Sequence, residues 1–271
     1  MGLLRRHSAP IAPEAWDEIE DAVRDALLPC LSARRVVDVD GPHGLDKAAV
    51  GLGRLEVPKD GTKGPVGYGV HRVQPLVETR AVFELGLWEL DNLARGAKDV
   101  DLGPAERAAC ELATFEDRAV FQGFAAGGVT GLCSVSDIDP IPLEFETEDF
   151  AAAVGEASFA LRDHGVGGPY ALVLGPEASR WLDAQSCGYP LRRQIAGIFE
   201  GDIVYSPMVE GGVLVGERDG DFEITLGQDV ARGYESHQNG SVRMFLTESF
   251  TFRILDPAAA VVLTRKTGKK K

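Results

Sequence analysis

The sequence predicts an α+β fold, with helical and extended segments interleaved along one polypeptide. Three observations carry this. Apolar residues recur at helical spacing near the start and again between about residues 104 and 126. Between them lies a glycine-punctuated stretch of alternating residues, about 48–83, that reads as two extended arms. After about residue 134, short helical and strand patterns alternate, separated by glycine turns.

The elements follow in order. Pro13 opens a first helix over 14–28, with Trp16, Ile19, Val23 and Leu27 on one face, and Pro29 ends it. GLGRLEV, KDGTKGPVGYG and VHRVQPLVETRAVFEL form the arms and their glycine-rich tip. Such a ribbon is marginal alone and leaves its edges unpaired. WELDNLARG, residues 88–96, reads as a short amphipathic helix with Leu85, Trp88 and Leu93 along an apolar stripe and Gly96 as its left-handed cap. Pro104 starts a long helix reaching 126, stopped by Gly127 and Gly128. Leu112, Phe115, Phe121 and Phe124 give it apolar contacts, and Glu106, Glu111, Glu116, Asp117 and Arg118 keep much of it wet. Helices are expected over 148–163, 177–184 and 191–199, and strands at YALVLG, IVYSPMV, EGGVLVGE and FEITLG. VRMFLTESFTFRIL reads as a strand with one wet face, and AAVVLT as another.

Composition narrows the function. The chain has 271 residues, 44% of them apolar, with 32 glycines. Forty-two acidic residues against 28 basic ones give a net charge of −14, which repels phosphate backbones and argues against nucleic-acid partners. No leader or membrane-spanning run is visible, so a cytoplasmic protein with no membrane partner is expected. Cys30, Cys110, Cys133 and Cys187 are widely spaced and offer neither a metal template nor a disulfide framework. The five histidines are scattered, so no metal site is expected. Gly165–Gly168 precedes a strand rather than a helix, and Ser241 lacks a nucleophile elbow. No catalytic residue is assigned, and the chain is expected not to be an enzyme.

Several motifs occur in an order that resembles the encapsulins, the linocin-like shell proteins related to HK97-type phage capsids. They are APIAPEAWDEIE, RRVVDVDGPHG, WELDNLARG, LGQD, GYE and VRMFLTESFTF. The resemblance implies an HK97-like fold. Residues 1–47 would be the N-terminal helix arm and the start of the peripheral domain, 48–83 the E-loop, and 84–133 the peripheral domain with its spine helix. Residues 134–227 would be the axial domain, 228–264 the return to the peripheral domain, and 265–271 a disordered basic tail.

The resemblance also implies function: self-assembly of about 60 copies into an icosahedral shell that sequesters a cargo enzyme carrying a short C-terminal targeting peptide. The expected cargo is a ferritin-like ferroxidase for iron storage or a dye-decolourising peroxidase. It further implies a luminal cargo-peptide groove formed by Leu27, Leu31, Arg34 and Asp38 with Asp229, Val230 and Tyr234. The same residues could instead only pack the first helix on the sheet. Arg232 stands where an aliphatic residue is common in the family that the chain resembles. Ser186, Cys187, Gly188 and Tyr189 would line the five-fold pore, or form an ordinary surface turn. No cofactor is required, although Trp88 with Arg80 could hold FMN; the alternative is a tryptophan in a subunit contact. Two other functions share parts of this pattern: a prophage major capsid protein, and a bacteriocin or peptidase.

Overall fold

The computed structural model describes residues 2–134, 136–187 and 189–265. Helix α1 (Pro13–Leu27) begins with proline at its first turn, where a missing N–H costs nothing, and buries Ala15, Trp16, Ile19, Val23 and Leu27 along one stripe. A short strand β1 (Asp38–Asp40) follows, then β2 (Ala49–Glu56), β3 (Val70–Pro75) and β4 (Val77–Gly86). Helices α2 (Leu87–Ala94) and α3 (Gly103–Gln122) come next, with β5 (Gly123–Phe124), β6 (Val129–Thr130) and β7 (Ile141–Leu143). Beyond them run α4 (Thr147–Asp163), β8 (Tyr170–Leu174), α5 (Pro176–Ala184), β9 (Ser186–Cys187), β10 (Tyr189–Pro190) and α6 (Leu191–Phe199). The remaining strands are β11 (Asp202–Tyr205), β12 (Gly212–Gly216), β13 (Phe222–Leu226), β14 (Ala231–Gln238), β15 (Ser241–Ile254) and β16 (Ala260–Arg265).

Two five-stranded sheets organise the molecule. In the first, the 14-residue β15 is the common rail. One edge pairs with β4 from Ser241 to Phe250; the other takes β14 along its first half and β13 along its second, and β1 adds in parallel to β13. Helices α1 and α3 lie over this sheet, and Leu27, Leu85, Leu90, Leu112, Met244 and Leu246 share their core. The second sheet has the order β11-β8-β12-β16-β7. Its core includes Phe150, Leu161, Leu172, Val213, Val261 and Leu263, backed by α4, α5 and α6.

The ribbon β2–β3 stands apart as a two-stranded sheet. Leu55, Val57, Val66, Tyr68, Val70 and Val73 along it and its tip are exposed. An isolated hairpin with that many uncovered apolar side chains lacks the burial that would hold it.

Several sequence expectations need correction. The extended arm ends at Pro75, since Val77–Phe83 already lies in β4 against β15. Strand β13, expected in the axial domain, sits in the sheet of β15. AAVVLT was expected to return to the peripheral domain, but as β16 it is a central strand of the other sheet, between β12 and β7. Pairing with a non-local strand decides this, and periodicity carries no information about it. Arg265, expected in a disordered tail, ends β16, pairs with Glu177 and stacks on Phe145; residues 266–271 lie outside the described residues. Helix α3 stops at Gln122, four residues early. Gly123 takes φ 92°, and a Cβ there would stand 2.9 Å from Gly131 N. Strand β15 has no wet face from Met244 to Phe252, because helices cover one side and the second core the other.

Candidate functional site

Where α1 leaves the sheet, residues 30–34 run along α3. The 3₁₀ turn Ala33–Arg35 is held there by Asp117, whose carboxylate accepts from Ser32 N at 3.1 Å, Ala33 N at 2.9 Å and the Ser32 hydroxyl. Those bonds favour the charged carboxylate, yet burial prevails and pushes Asp117 up to about 6.

One residue on, Arg34 enters a carboxylate cage. Its Nε donates to Glu116 Oε1 at 2.8 Å, its Nη2 to Glu116 Oε2 at 2.5 Å and Glu248 Oε2 at 3.2 Å, and its Nη1 to Asp229 Oδ1 at 2.9 Å. Glu116 and Glu248 are fully buried, whereas Asp229 keeps 45% of its side chain in solvent. Burial lowers the guanidinium's proton affinity, but the Glu116 hydrogen bonds and charge, then Asp229, outweigh it and hold Arg34 firmly charged. One cation cannot neutralise three carboxylates. Burial, with Glu116 beside it, pushes Glu248 well above the usual carboxylate range despite the opposing pull of Arg34.

The groove expected from the sequence is partly assembled. Leu27 and Tyr234 are buried in the core, and Leu31 and Val230 are half-buried at its margin. Tyr234 Oη lies 2.5 Å from His237 Nδ1, and Tyr234 N donates to Leu4 O, which draws the N-terminal segment over β14. Arg34 and Asp229 meet as an ion pair. Asp38 does not join them: it lies in β1 beside Glu223 and accepts from Gly220 N at 2.6 Å, next to a separate cavity of about 150 Å³ lined by Arg35 and Arg218. Arg232 is drawn under α1, where Nη2 donates to Glu20 O at 3.4 Å and Nε is buried without a partner.

Sequence reasoning missed Glu248, and it misplaced Glu116 and Asp117 by reading them as wet. A signal was present. Leu112, Ala113, Glu116, Asp117, Val120 and Phe121 form one continuous helical stripe, and all six are buried. Carboxylates set inside an apolar stripe need a buried partner, but the stripe does not reveal that the partner is Arg34.

The two residues proposed for FMN lie apart. Trp88 is 76% exposed near the start of α2 and points out of the apolar stripe, whose buried member is Leu90. Arg80 sits in β4 opposite Thr247 with its guanidinium over the Phe245 ring, 4.1 Å from the centroid. Arg80 and Gly86 are six positions apart along β4, roughly 20 Å at strand rise. Of the pore residues, the backbone pairs Tyr189 with Cys187 as a minimal hairpin; Gly188 and the side chains of Ser186, Cys187 and Tyr189 lie outside the described residues. Among the described residues there is no metal-ligand cluster, and no helix is long and apolar enough to cross a membrane.

The chain has relatives of known description and its fold has solved counterparts. A family model described as "Encapsulating protein for peroxidase" matches residues 1–251. A "Type 1 encapsulin shell protein" from Rhodospirillum rubrum is 44% identical over 97% of this chain and 96% of its own length. One of the same description from Mycobacterium tuberculosis is 36% identical over 97% and 100%. Among solved structures, the virus-like particle from Pyrococcus furiosus superposes with a TM-score of 0.68 at 18% identity, covering 92% of this chain and 98% of that one. A phage-related protein from Bordetella bronchiseptica gives 0.59 at 12%, over 94% and 97%. The fold is therefore that of HK97-like capsid proteins, and the chain belongs to the encapsulins, the family of shell proteins that assemble into capsid-like compartments.

Proposed function

We propose that about 60 copies of this chain close into an icosahedral compartment in the cytoplasm and hold a cargo enzyme by a short peptide at the cargo's C-terminus. The peptide's seat is the margin where half-buried Leu31 and Val230 flank the half-exposed carboxylate of Asp229. Leu27 and Tyr234 form its floor, and Arg34 belongs to the scaffold that fixes Asp229. The exposed carboxylate beside an apolar margin carries this reading: apolar side chains of a peptide gain burial there, and a basic one pairs with Asp229. Each contact can be weak, because many seats in one shell act together.

The cargo proposed first is a ferritin-like ferroxidase that stores iron. A dye-decolourising peroxidase is the second reading, favoured by the description of the matching family model. The shell's own residues take no chemical step in either case.

The test co-expresses the chain with a fluorescent protein ending in Leu-Gly-Ile-Arg-Lys. Fluorescence should travel with particles of the native chain and drop at least tenfold with Val230→Glu. Particles that form normally but carry no fluorescence overturn the peptide seat. Chains that sediment as single protomers of 29.0 kDa overturn the compartment.

A further inference from the structure

The sequence separates Cys30 and Cys110 by 80 positions, but the fold brings them together: Cys30 Sγ donates to Cys110 Sγ at 3.3 Å. Cys110 Sγ also faces Ala26 O at 3.7 Å, which fixes it toward the end of α1. Both thiols are free and half-buried, at the edge of the core shared by α1 and α3. Their position within the scaffold is specific. Cys110 and Asp117 are seven residues apart on α3, two turns along one face and about 10 Å. The segment from Cys30 to Ala33 follows that face, meeting Cys110 first and Asp117 next. Cys133 has no second sulfur among its described contacts, and burial alone pushes its thiol up to about 12.

We propose that Cys30 and Cys110 form a reversible dithiol–disulfide site, oxidised by hydroperoxides, that fastens the exit of α1 to α3. The redox balance is complete with hydrogen peroxide as oxidant. Cys110 loses its proton and its sulfur attacks one peroxide oxygen. The O–O bond breaks, an S–O bond forms, and the departing hydroxide takes up the proton as water. Cys30 sulfur then attacks the sulfenic sulfur of Cys110. The S–S bond forms, the S–O bond breaks, and hydroxide leaves with the Cys30 proton as a second water. Two thiols thus lose two electrons and two protons, and one peroxide becomes two waters.

The order of attack follows from surroundings. Burial, the neighbouring Cys110 and the nearby Asp117 push the Cys30 thiol up to about 11, so it is scarcely ionised at neutral pH. The geometry agrees: Cys30 Sγ donates and Cys110 Sγ accepts, so Cys110 is the sulfur that receives the oxygen and Cys30 the one that resolves. A metal reading fails: two sulfurs alone are too few, and no third ligand joins them among the described residues. Once closed, the bond would span a loop holding the ribbon, β4 and α2, a constraint that acts chiefly on the unfolded chain.

The experiment treats assembled particles with stoichiometric hydrogen peroxide, blocks remaining thiols with iodoacetamide, and maps peptides without reductant. The expected result is a Cys30–Cys110 cross-linked peptide about 2 Da lighter than its two thiol parts, lost on adding dithiothreitol. Oxidised particles should unfold on the order of 5–10 °C higher than reduced ones. Cys30→Ser should leave Cys110 trapped as a sulfenic acid that dimedone labels, with no rise in the unfolding midpoint. Alkylation of both cysteines after peroxide overturns the proposal. So does over-oxidation of either without a cross-link, or a bond joining two chains. If Cys30→Ser fails to fold, the peptide map of the native chain decides alone.

Discussion

Arg34 Nη2 stands 2.5 Å from Glu116 Oε2 and 3.2 Å from Glu248 Oε2, so one guanidinium bridges the spine helix and the central strand of the first sheet. Three segments distant in sequence meet at that fork. The half-exposed margin around Asp229 is built on it.

Arg34→Ala should be the most damaging single change in this region. It leaves Glu116 buried without its counter-charge, at a cost of about 3–5 kcal/mol. Arg34→Lys should recover only part of this, since an ammonium cannot make the forked contact to Glu116 while reaching Asp229. Urea unfolding of the two variants at pH 7 checks both. Equal stability of Arg34→Ala and the native chain would refute the cage as a structural element.

Stability should decline as pH rises through the acidic range. Asp117 binds its proton more tightly folded than unfolded, with the value moving from 3.8 to about 6. Its contribution is complete below about pH 4 and is lost as pH climbs to about 6, a change of roughly 3 kcal/mol. Glu248 acts in the same direction, with its contribution complete below 4.5 and lost as pH passes its elevated folded value. Glu248→Gln imitates the protonated carboxyl, so at pH 8 it should be at least as stable as the native chain and show a flatter pH profile. Thermal melts from pH 4 to 8 measure this, and a Gln variant that loses stability at pH 8 contradicts it.

Gly233→Ala should disturb the sheet next to Tyr234. A Cβ there would come 2.1 Å from Cζ of Phe245, a ring that is buried and topped by Arg80. The ring must shift and the cation above it with it, costing about 1–3 kcal/mol. Equilibrium unfolding reads the loss, and a neutral result would mean the ring moves freely.

Val70→Asp combined with Val73→Asp should spare the folded chain and stop assembly. Both side chains are exposed on the ribbon, so the protomer changes within about 0.5 kcal/mol. A charged ribbon cannot bury itself against another copy. Sedimentation should find folded protomers in place of particles. Normal particles from this variant would show that the ribbon's exposed apolar side chains are dispensable.

The helices were legible because each carries its own period: α1, α4 and α6 fall within one residue of their expected bounds. Strand existence was legible too, but not strand partnership. Nothing local in AAVVLT distinguishes a strand paired with Val213 and Leu214 from one paired with β15, because both sheets offer buried apolar neighbours. The family motifs placed Arg34 and Asp229 in one groove, and the structure pairs them. They also led to Asp38, which β1 turns toward Gly220 instead. Glu248 was hidden because it lies in an otherwise apolar strand, and the Arg34 that it meets comes from a segment 214 residues away. Cys30 and Cys110 were hidden because only packing of α1 on α3 makes neighbours of residues 80 apart.

The position of β16 between β12 and β7 has a consequence during synthesis. Until residues 260–265 have left the ribosome, β7 lacks the strand it pairs with and β12 keeps an open edge. A nascent subunit at that stage carries an incomplete second sheet. A polypeptide that polymerises has good use for such a delay, because a subunit without β16 is a poor seed for lattice growth.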